Sequence, residues 1–80
     1  MNEYLLEVYE ERKSRAEACK DRLFALEAEI FRKSSASVDR GEPYLKAERD
    51  ADSAAHRAAM VELGEAIEAI LEIEEAERGR

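Results

Sequence analysis

The chain has 80 residues, a formal net charge of −7 and a single cysteine, Cys19. A chain of this length supports one small domain without a large core, and a lone cysteine excludes an intrachain disulfide, which indicates a reducing, cytoplasmic location. No apolar run reaches the ~18 residues of a membrane span, and the negative charge argues against direct binding to nucleic acid and favours a basic partner.

The first predicted element is a long helix that begins near residue 2. Residues 2–33 contain neither glycine nor proline, and mostly apolar or small residues recur there at intervals of three and four, which is the spacing of one helical stripe. The helix ends either in the serine-rich run 34–37 or near Arg40, and we favour the later end because Gly41 and Pro43 form a helix-stop signal. The stripe, called here the seam of the first helix, consists of Leu5, Tyr9, Arg12, Ala16, Cys19, Leu23, Leu26 and Ile30.

The second predicted helix begins at Pro43, whose fixed φ suits a first helical position, and runs to about residue 78. Residues 41–42 then form the turn, and the chain is predicted to be an all-α hairpin of two long antiparallel helices, a single domain over residues 1–80. The flank of the second seam is widened by Met60, Ile67 and Leu71. The seam itself consists of Ala55, Ala59, Leu63, Ala66, Ile70 and Ile73.

Polar residues interrupt both seams. Arg12 lies in the first seam, and Glu48, Asp52 and His56 extend the second seam toward the turn. Two hairpins packed antiparallel bring Asp52 of one copy to about the height of Arg12 of the other. We therefore expect a homodimeric four-helix bundle, similar in design to ROP-type hairpin dimers, in which Arg12 pairs with Asp52 or Glu48 and sets the register.

The same polar stretch is the alternative candidate for chemistry. Glu48, Asp52 and His56 follow one another at single helical turns, and in a dimer they could converge on a metal. Di-metal carboxylate bundles use Glu-x-x-His motifs, however, and this chain has one histidine and no such motif. Cys19 is expected to be a small core residue. The sequence therefore predicts no metal, no cofactor and no catalytic residue.

The segment Val61-Glu62-Leu63-Gly64-Glu65-Ala66-Ile67-Glu68-Ala69-Ile70 resembles the first acidic helix of MazG-like nucleotide pyrophosphohydrolases. That resemblance implies that Glu62 and Glu65, together with a later Glu-x-x-Asp motif, would hold magnesium over a triphosphate. No aspartate follows Asp52, so half of the metal cage is missing. A metal-binding bundle or a fragment of such an enzyme is thus the alternative to a non-enzymatic protein.

Two surfaces are candidates for binding a partner. Between Ala58 and Glu77 there is no basic residue, and glutamates step by three or four along the face opposite the seam. This acidic ladder, which is either a solvated face or a docking strip, consists of Glu62, Glu65, Glu68, Glu72 and Glu75. The other surface is an aromatic flank at spacing seven, with one residue past the turn, and consists of Phe24, Phe31, Val38 and Tyr44.

These surfaces predict a protein that works by contact and without catalysis. We expect a small acidic adaptor or inhibitor that docks on a basic or hydrophobic groove of a larger protein. A mimic of nucleic acid is one form of this function, since the rise of ~5 Å per helical turn is close to the phosphate spacing of a strand. Some anti-CRISPR inhibitors of phages resemble this chain in size and charge.

Overall fold

The computed structural model describes residues 1–79, and the predicted last residue of the domain, Arg80, lies outside them. Over the described residues the chain forms two helices and no strand: α1 spans Glu3–Arg40 and α2 spans Lys46–Arg78. The helices run antiparallel along a body of 58 × 15 × 15 Å. The predicted all-α hairpin is confirmed. No helix of the described part combines the length and apolar character that crossing a membrane requires.

Helix α1 has well-formed ends. The Asn2 side chain accepts a hydrogen bond from the Leu5 backbone N–H at 2.8 Å, which satisfies one of the free donors of the first turn. At the other end Gly41 adopts φ 68°, and its N–H donates to the Ser37 carbonyl at 3.1 Å. This left-handed conformation suits glycine because it has no Cβ. The helix therefore ends at Arg40, the later of the two positions that the sequence allowed.

Helix α2 begins at Lys46, three residues later than the sequence predicts, so that the connection covers residues 41–45. Leu45 is the N-cap, with an extended backbone and no hydrogen bond from its side chain, and its carbonyl accepts from the Arg49 N–H at 2.9 Å. The five residues of this connection span the gap of about 8–10 Å between packed helix axes, at the upper end of the 2–5 residues that usually join antiparallel helices. Pro43 therefore lies in the connection and does not open the helix.

The core is a single thin layer between the two helices. Every predicted seam residue of α1 is buried or half-buried, and so is every predicted seam residue of α2 except Ala55. Among residues 1–79 no polar or charged residue is fully buried. The residues that are buried are Cys19, Leu23, Ala36, Ala66 and Ile73. Most of the remaining apolar surface of the hairpin stays in contact with water.

Candidate functional site

One side of the hairpin, called here the polar face, is closed by ion pairs between the helices. The Arg22 guanidinium donates to the Glu62 carboxylate, and both groups contact the buried Cys19 Sγ, at 3.3 Å and 3.4 Å respectively. The hydrogen bond from the Cys19 thiol and the charge of Arg22 hold the pKa of Glu62 below its ordinary value. Further toward the free ends, Arg12 Nη1 donates to the Ala69 carbonyl oxygen at 2.6 Å and lies 3.4 Å from Glu72 Oε2.

A second polar cluster ties the start of α2 to α1. Lys33 Nζ lies 2.8 Å from Glu48 Oε1 and 3.1 Å from Asp52 Oδ2, and the Tyr44 hydroxyl donates to the same Asp52 oxygen at 2.7 Å. The hydrogen bonds from Tyr44 and Lys33 lower the pKa of Asp52, while those to Glu48 and Asp52 raise the pKa of Lys33. Tyr44, predicted as a partner-binding aromatic, is half-buried and makes this hydrogen bond within the chain.

The predicted register residues therefore find partners within one chain. Arg12 contacts α2 near the free ends, Glu48 and Asp52 contact Lys33, and His56 Nε2 lies 3.1 Å from Glu27 Oε2. A lone hairpin supplies a polar partner to each of these groups, because the stagger of the helices brings them to the same heights. The pairing of Arg12 with Asp52 or Glu48 between copies stays a prediction, with no unpaired group that requires it.

The predicted alternative, a metal site, depends on the positions of its potential ligands. Among the described residues no group of three or more histidines, cysteines, aspartates or glutamates is arranged to hold a metal ion. In the segment that resembles the pyrophosphohydrolase helix, Glu62 is engaged by Arg22 and Cys19, whereas Glu65 is exposed.

The acidic ladder divides into bound and free carboxylates. All five of its glutamates are exposed, but Glu62 and Glu72 accept contacts from Arg22 and Arg12 of α1. Within residues 1–79 the side chains of the other three have no ion pair or hydrogen bond. The free members of the ladder are Glu65, Glu68 and Glu75. They extend from the polar face to the outer side of α2, where a partner can reach them.

The opposite side of the hairpin, called here the apolar face, carries large exposed apolar side chains from both helices. Val38 follows the half-buried Ser37, and each of the others directly follows a buried or half-buried residue of a seam, which turns it about 100° around its helix axis. Because the helices face each other and run antiparallel, this turn takes residues of α1 and α2 to the same side. Phe31 is 73% exposed and Phe24 57%. The members are Leu6, Phe24, Phe31, Val38, Met60, Ile67 and Leu71.

This surface is broader than the predicted aromatic flank. The sequence predicts Phe24, Phe31 and Val38 as a flank of the first helix and Met60 and Ile67 as part of the widened second seam, whereas the structure exposes all five on one side. The signal for this face is local: six of its seven members are large apolar residues one position after a seam residue.

Two grooves between the helices open on the apolar face. The larger, about 520 Å³, lies toward the turn and is lined by Glu27, Ile30, Phe31, Ser34, Ser53, His56 and Arg57. The smaller, about 240 Å³, lies toward the free ends and is lined by Lys13, Ala16, Glu17, Lys20, Leu63, Ile67 and Ile70. Gly64 lies beside the smaller groove, and a Cβ at this position would meet no other atom within 4 Å.

Comparison with known proteins finds no matching family model, no matching curated protein and no matching solved structure. The fold defines the chain as an all-α helical hairpin with two exposed surfaces, the apolar face and the acidic ladder.

Proposed function

We propose that this chain is a non-enzymatic protein–protein interaction module, a small acidic adaptor or inhibitor that dimerises into a four-helix bundle and docks on a larger protein. The observation that carries the proposal is the apolar face, seven large apolar side chains exposed on one side of a hairpin whose other side is closed by ion pairs. Large apolar side chains gathered on one exposed side commonly mark association sites in soluble proteins.

The acidic ladder supports the second part of the proposal, the larger partner. Its free carboxylates, Glu65, Glu68 and Glu75, lie away from the apolar face, so that pairing through the apolar face leaves the ladder open. These three glutamates, spread over about three turns of helix, offer a line of negative charge to a basic groove. A groove built for nucleic acid presents the complementary charge, and mimicry of nucleic acid is the form of inhibition that this geometry suits.

The test is capture of a partner from the cells that produce the protein, with identification by mass spectrometry. The informative variant reverses the three free ladder charges, Glu65→Lys, Glu68→Lys and Glu75→Lys. The matched control reverses three exposed acidic residues of α1, Glu7, Glu11 and Asp21, and therefore changes the net charge by the same amount. We expect the wild-type chain and the control to capture the same protein and the ladder variant to lose it.

Salt provides a second readout of the same contact. Binding through exposed charges weakens as the Debye length falls from about 10 Å at 0.1 M salt to about 3 Å at 1 M. We therefore expect the captured partner to be released by high salt. Capture that survives both high salt and reversal of the ladder charges would contradict a role of the ladder in docking.

A further inference from the structure

We propose that the apolar face is covered by a second copy of this chain, in an antiparallel two-fold dimer that places the two turns at opposite ends. In this dimer Phe31 of each copy sits in the 240 Å³ groove of the other. The inference rests on the proposed function in treating the apolar face as an association surface, and it assigns that face its occupant, its orientation and its register.

The dimensions of the face fit a copy of the chain. The hairpin is 58 Å long and 15 Å wide, a footprint of about 870 Å². A stable interface of ordinary size buries about 800 Å² on each partner. A second hairpin has the same length and width, so it covers most of the apolar face.

The distribution of charge selects the orientation. Residues 1–20 and 62–80, the half with the free ends, contain twelve acidic and six basic residues, net −6. Residues 21–61, the half with the turn, contain eight acidic and seven basic residues, net −1. Turns at the same end would place the two strongly negative halves side by side. With the turns at opposite ends each −6 half lies on a −1 half, which lowers the repulsion.

The register follows from the heights of the residues along the hairpin. The Arg22–Glu62 and Glu27–His56 contacts set Phe24 and Met60 at nearly the same height, close to the middle of both helices. We place a two-fold axis at this height, perpendicular to the helices. A residue that lies toward the turn in one copy is then level with residues that lie equally far toward the free ends in the other copy. Phe31 lies seven residues, or about 10 Å, toward the turn. It therefore comes to the height of Ile67 in the other copy.

That height is the centre of the smaller groove. Glu17 lies seven residues before Phe24, Ile67 lies seven residues after Met60, and both line the groove. The floor of the groove is apolar, with Ala16, Leu63 and Ile70. An exposed phenylalanine and an open apolar groove thus meet twice in the dimer, once on each side of the axis.

The position of Gly64 independently indicates a close neighbour at the smaller groove. A glycine in the middle of a helix weakens the helix relative to alanine. Nothing within the chain requires this one, because a Cβ would meet no atom within 4 Å. Gly64 directly follows Leu63, which places it on the apolar face at the rim of the groove. The absence of a side chain there lets the second copy approach the backbone of α2.

The first experiment measures the dimer dissociation constant by analytical ultracentrifugation for the full chain and two variants. Phe31→Ala removes the side chain that enters the groove. Tyr4→Ala is the matched control, because Tyr4 is 72% exposed and Phe31 73%, but Tyr4 precedes a seam residue and lies off the apolar face. We expect the wild type to dimerise, Phe31→Ala to raise the dissociation constant by roughly tenfold or more, and Tyr4→Ala to leave it within about twofold. Circular dichroism verifies that both variants keep their helices.

The second experiment tests the orientation with a spin label on Glu42→Cys in the turn. Cys19 can remain, because it is only 2% exposed and inaccessible to the label. The expected distance between the two labels is on the order of 50 Å, close to the 58 Å length of the hairpin. A distance below about 20 Å, the width of two packed helix layers, would place the turns together and overturn the antiparallel arrangement.

The outcomes separate this inference from the proposed function. A wild-type chain that stays monomeric overturns the dimer, and so does a dimer that Phe31→Ala leaves unchanged. If Phe31→Ala abolishes capture of the larger protein while the dimer persists, the apolar face belongs to that protein and not to a second copy. A monomeric chain that still captures the larger protein supports the proposed function and overturns the dimer. A dimer that captures no larger protein supports the dimer and contradicts the proposed function.

Discussion

Asp52 is the residue on which the start of α2 depends most. It accepts hydrogen bonds from Lys33 and Tyr44, and so joins α1, the connection and α2 in one contact. Its side chain is 19% exposed and that of Lys33 22%, which limits how well water can replace either partner. The hydrogen bonds to the carboxylate hold its pKa below the ordinary value, with that from Tyr44 the larger cause.

We expect Asp52→Asn to lower the melting temperature at pH 7 and to have a smaller effect once the pH falls below the ordinary aspartate pKa of about 3.9. Because the pKa of Asp52 is lower in the folded chain than in the unfolded chain, its contribution is present above the unfolded pKa and is lost as the pH falls through the folded pKa. Thermal unfolding followed by circular dichroism at the two pH values measures the difference.

The control for this prediction is Asp50→Asn. Asp50 pairs with Lys46 one turn away at 2.7 Å, but both side chains are largely exposed, so the substitution should change the melting temperature little at either pH. Equal losses for Asp52→Asn at pH 7 and at about pH 3 would show that the ionised carboxylate is not what stabilises the turn.

Gly41 is the other single residue with a structural role that local chemistry explains. We expect Gly41→Ala to lower the free energy of unfolding by about 1 kcal/mol, because φ 68° is unfavourable for a residue with a Cβ. The space around the new methyl is open, so steric overlap contributes nothing. Chemical denaturation measures the loss. Gly41→Asn should cost less, because asparagine tolerates this conformation, and an equal loss for both variants would contradict the explanation.

At the scale of the element, each helix presents three different sides. The seam faces the other helix, and the residues that precede it, such as Arg22, Glu62 and Glu72, include the charges that bridge the helices. The residues that follow the seam include six of the seven members of the apolar face, with charged residues between them. Helix α2 has the smaller side chains in its seam, with Ala59 half-buried and Ala66 buried, and these let the helix axes approach closely.

Gly64→Ala provides a test of α2 as an isolated element. In a Phe31→Ala background, where the proposed dimer is weakened, we expect Gly64→Ala to raise the free energy of unfolding by about 1 kcal/mol. The added methyl meets no atom of its own chain, so only the helix propensity changes. Chemical denaturation measures the gain. In the wild-type background the gain should be smaller, because the methyl then enters the interface between copies.

The control for this prediction is Ala58→Gly, an exposed position of α2 that lies off the apolar face. It should lower the free energy of unfolding by a similar amount, about 1 kcal/mol. A destabilising effect of Gly64→Ala in the Phe31→Ala background would mean that contacts within one chain require the glycine, and the argument from its position would fail.

At the scale of the whole molecule, the hairpin buries little of what it could bury. Only five of the described residues are fully buried, whereas the seven members of the apolar face remain exposed. Small domains bury a low share of their surface, and chains of this length commonly gain stability from a second copy. Both observations have the same cause. Two helices bury only the seam between them, so the apolar residues on an outer side remain exposed.

The melting temperature should therefore depend on protein concentration. A dimer that forms only from folded chains stabilises the folded state by mass action, so we expect the melting temperature to rise over a roughly hundredfold increase in concentration. Differential scanning calorimetry measures this. Tyr4→Ala should keep the dependence and Phe31→Ala should lose most of it. A melting temperature independent of concentration in the wild type would indicate that the hairpin is stable alone.

The sequence by itself predicted the two helices and their seams, and it favoured the end of α1 at Arg40. These features follow from the interval between apolar residues and from Gly41, and both act within a few residues of the chain. The same interval placed Phe24 and Phe31 on one side of α1 and the acidic ladder on the outside of α2, where the structure has them exposed.

Only the tertiary structure decided which residues stand opposite one another. A periodic pattern gives the direction of a side chain around its own helix, but the height at which the second helix passes depends on the length and path of the connection. That connection proved to be residues 41–45, and the resulting stagger brought Lys33 to Asp52 and Arg12 to Ala69. It also joined Ile67 to the side of Phe31, because the face of a hairpin exists only once both helices are in place.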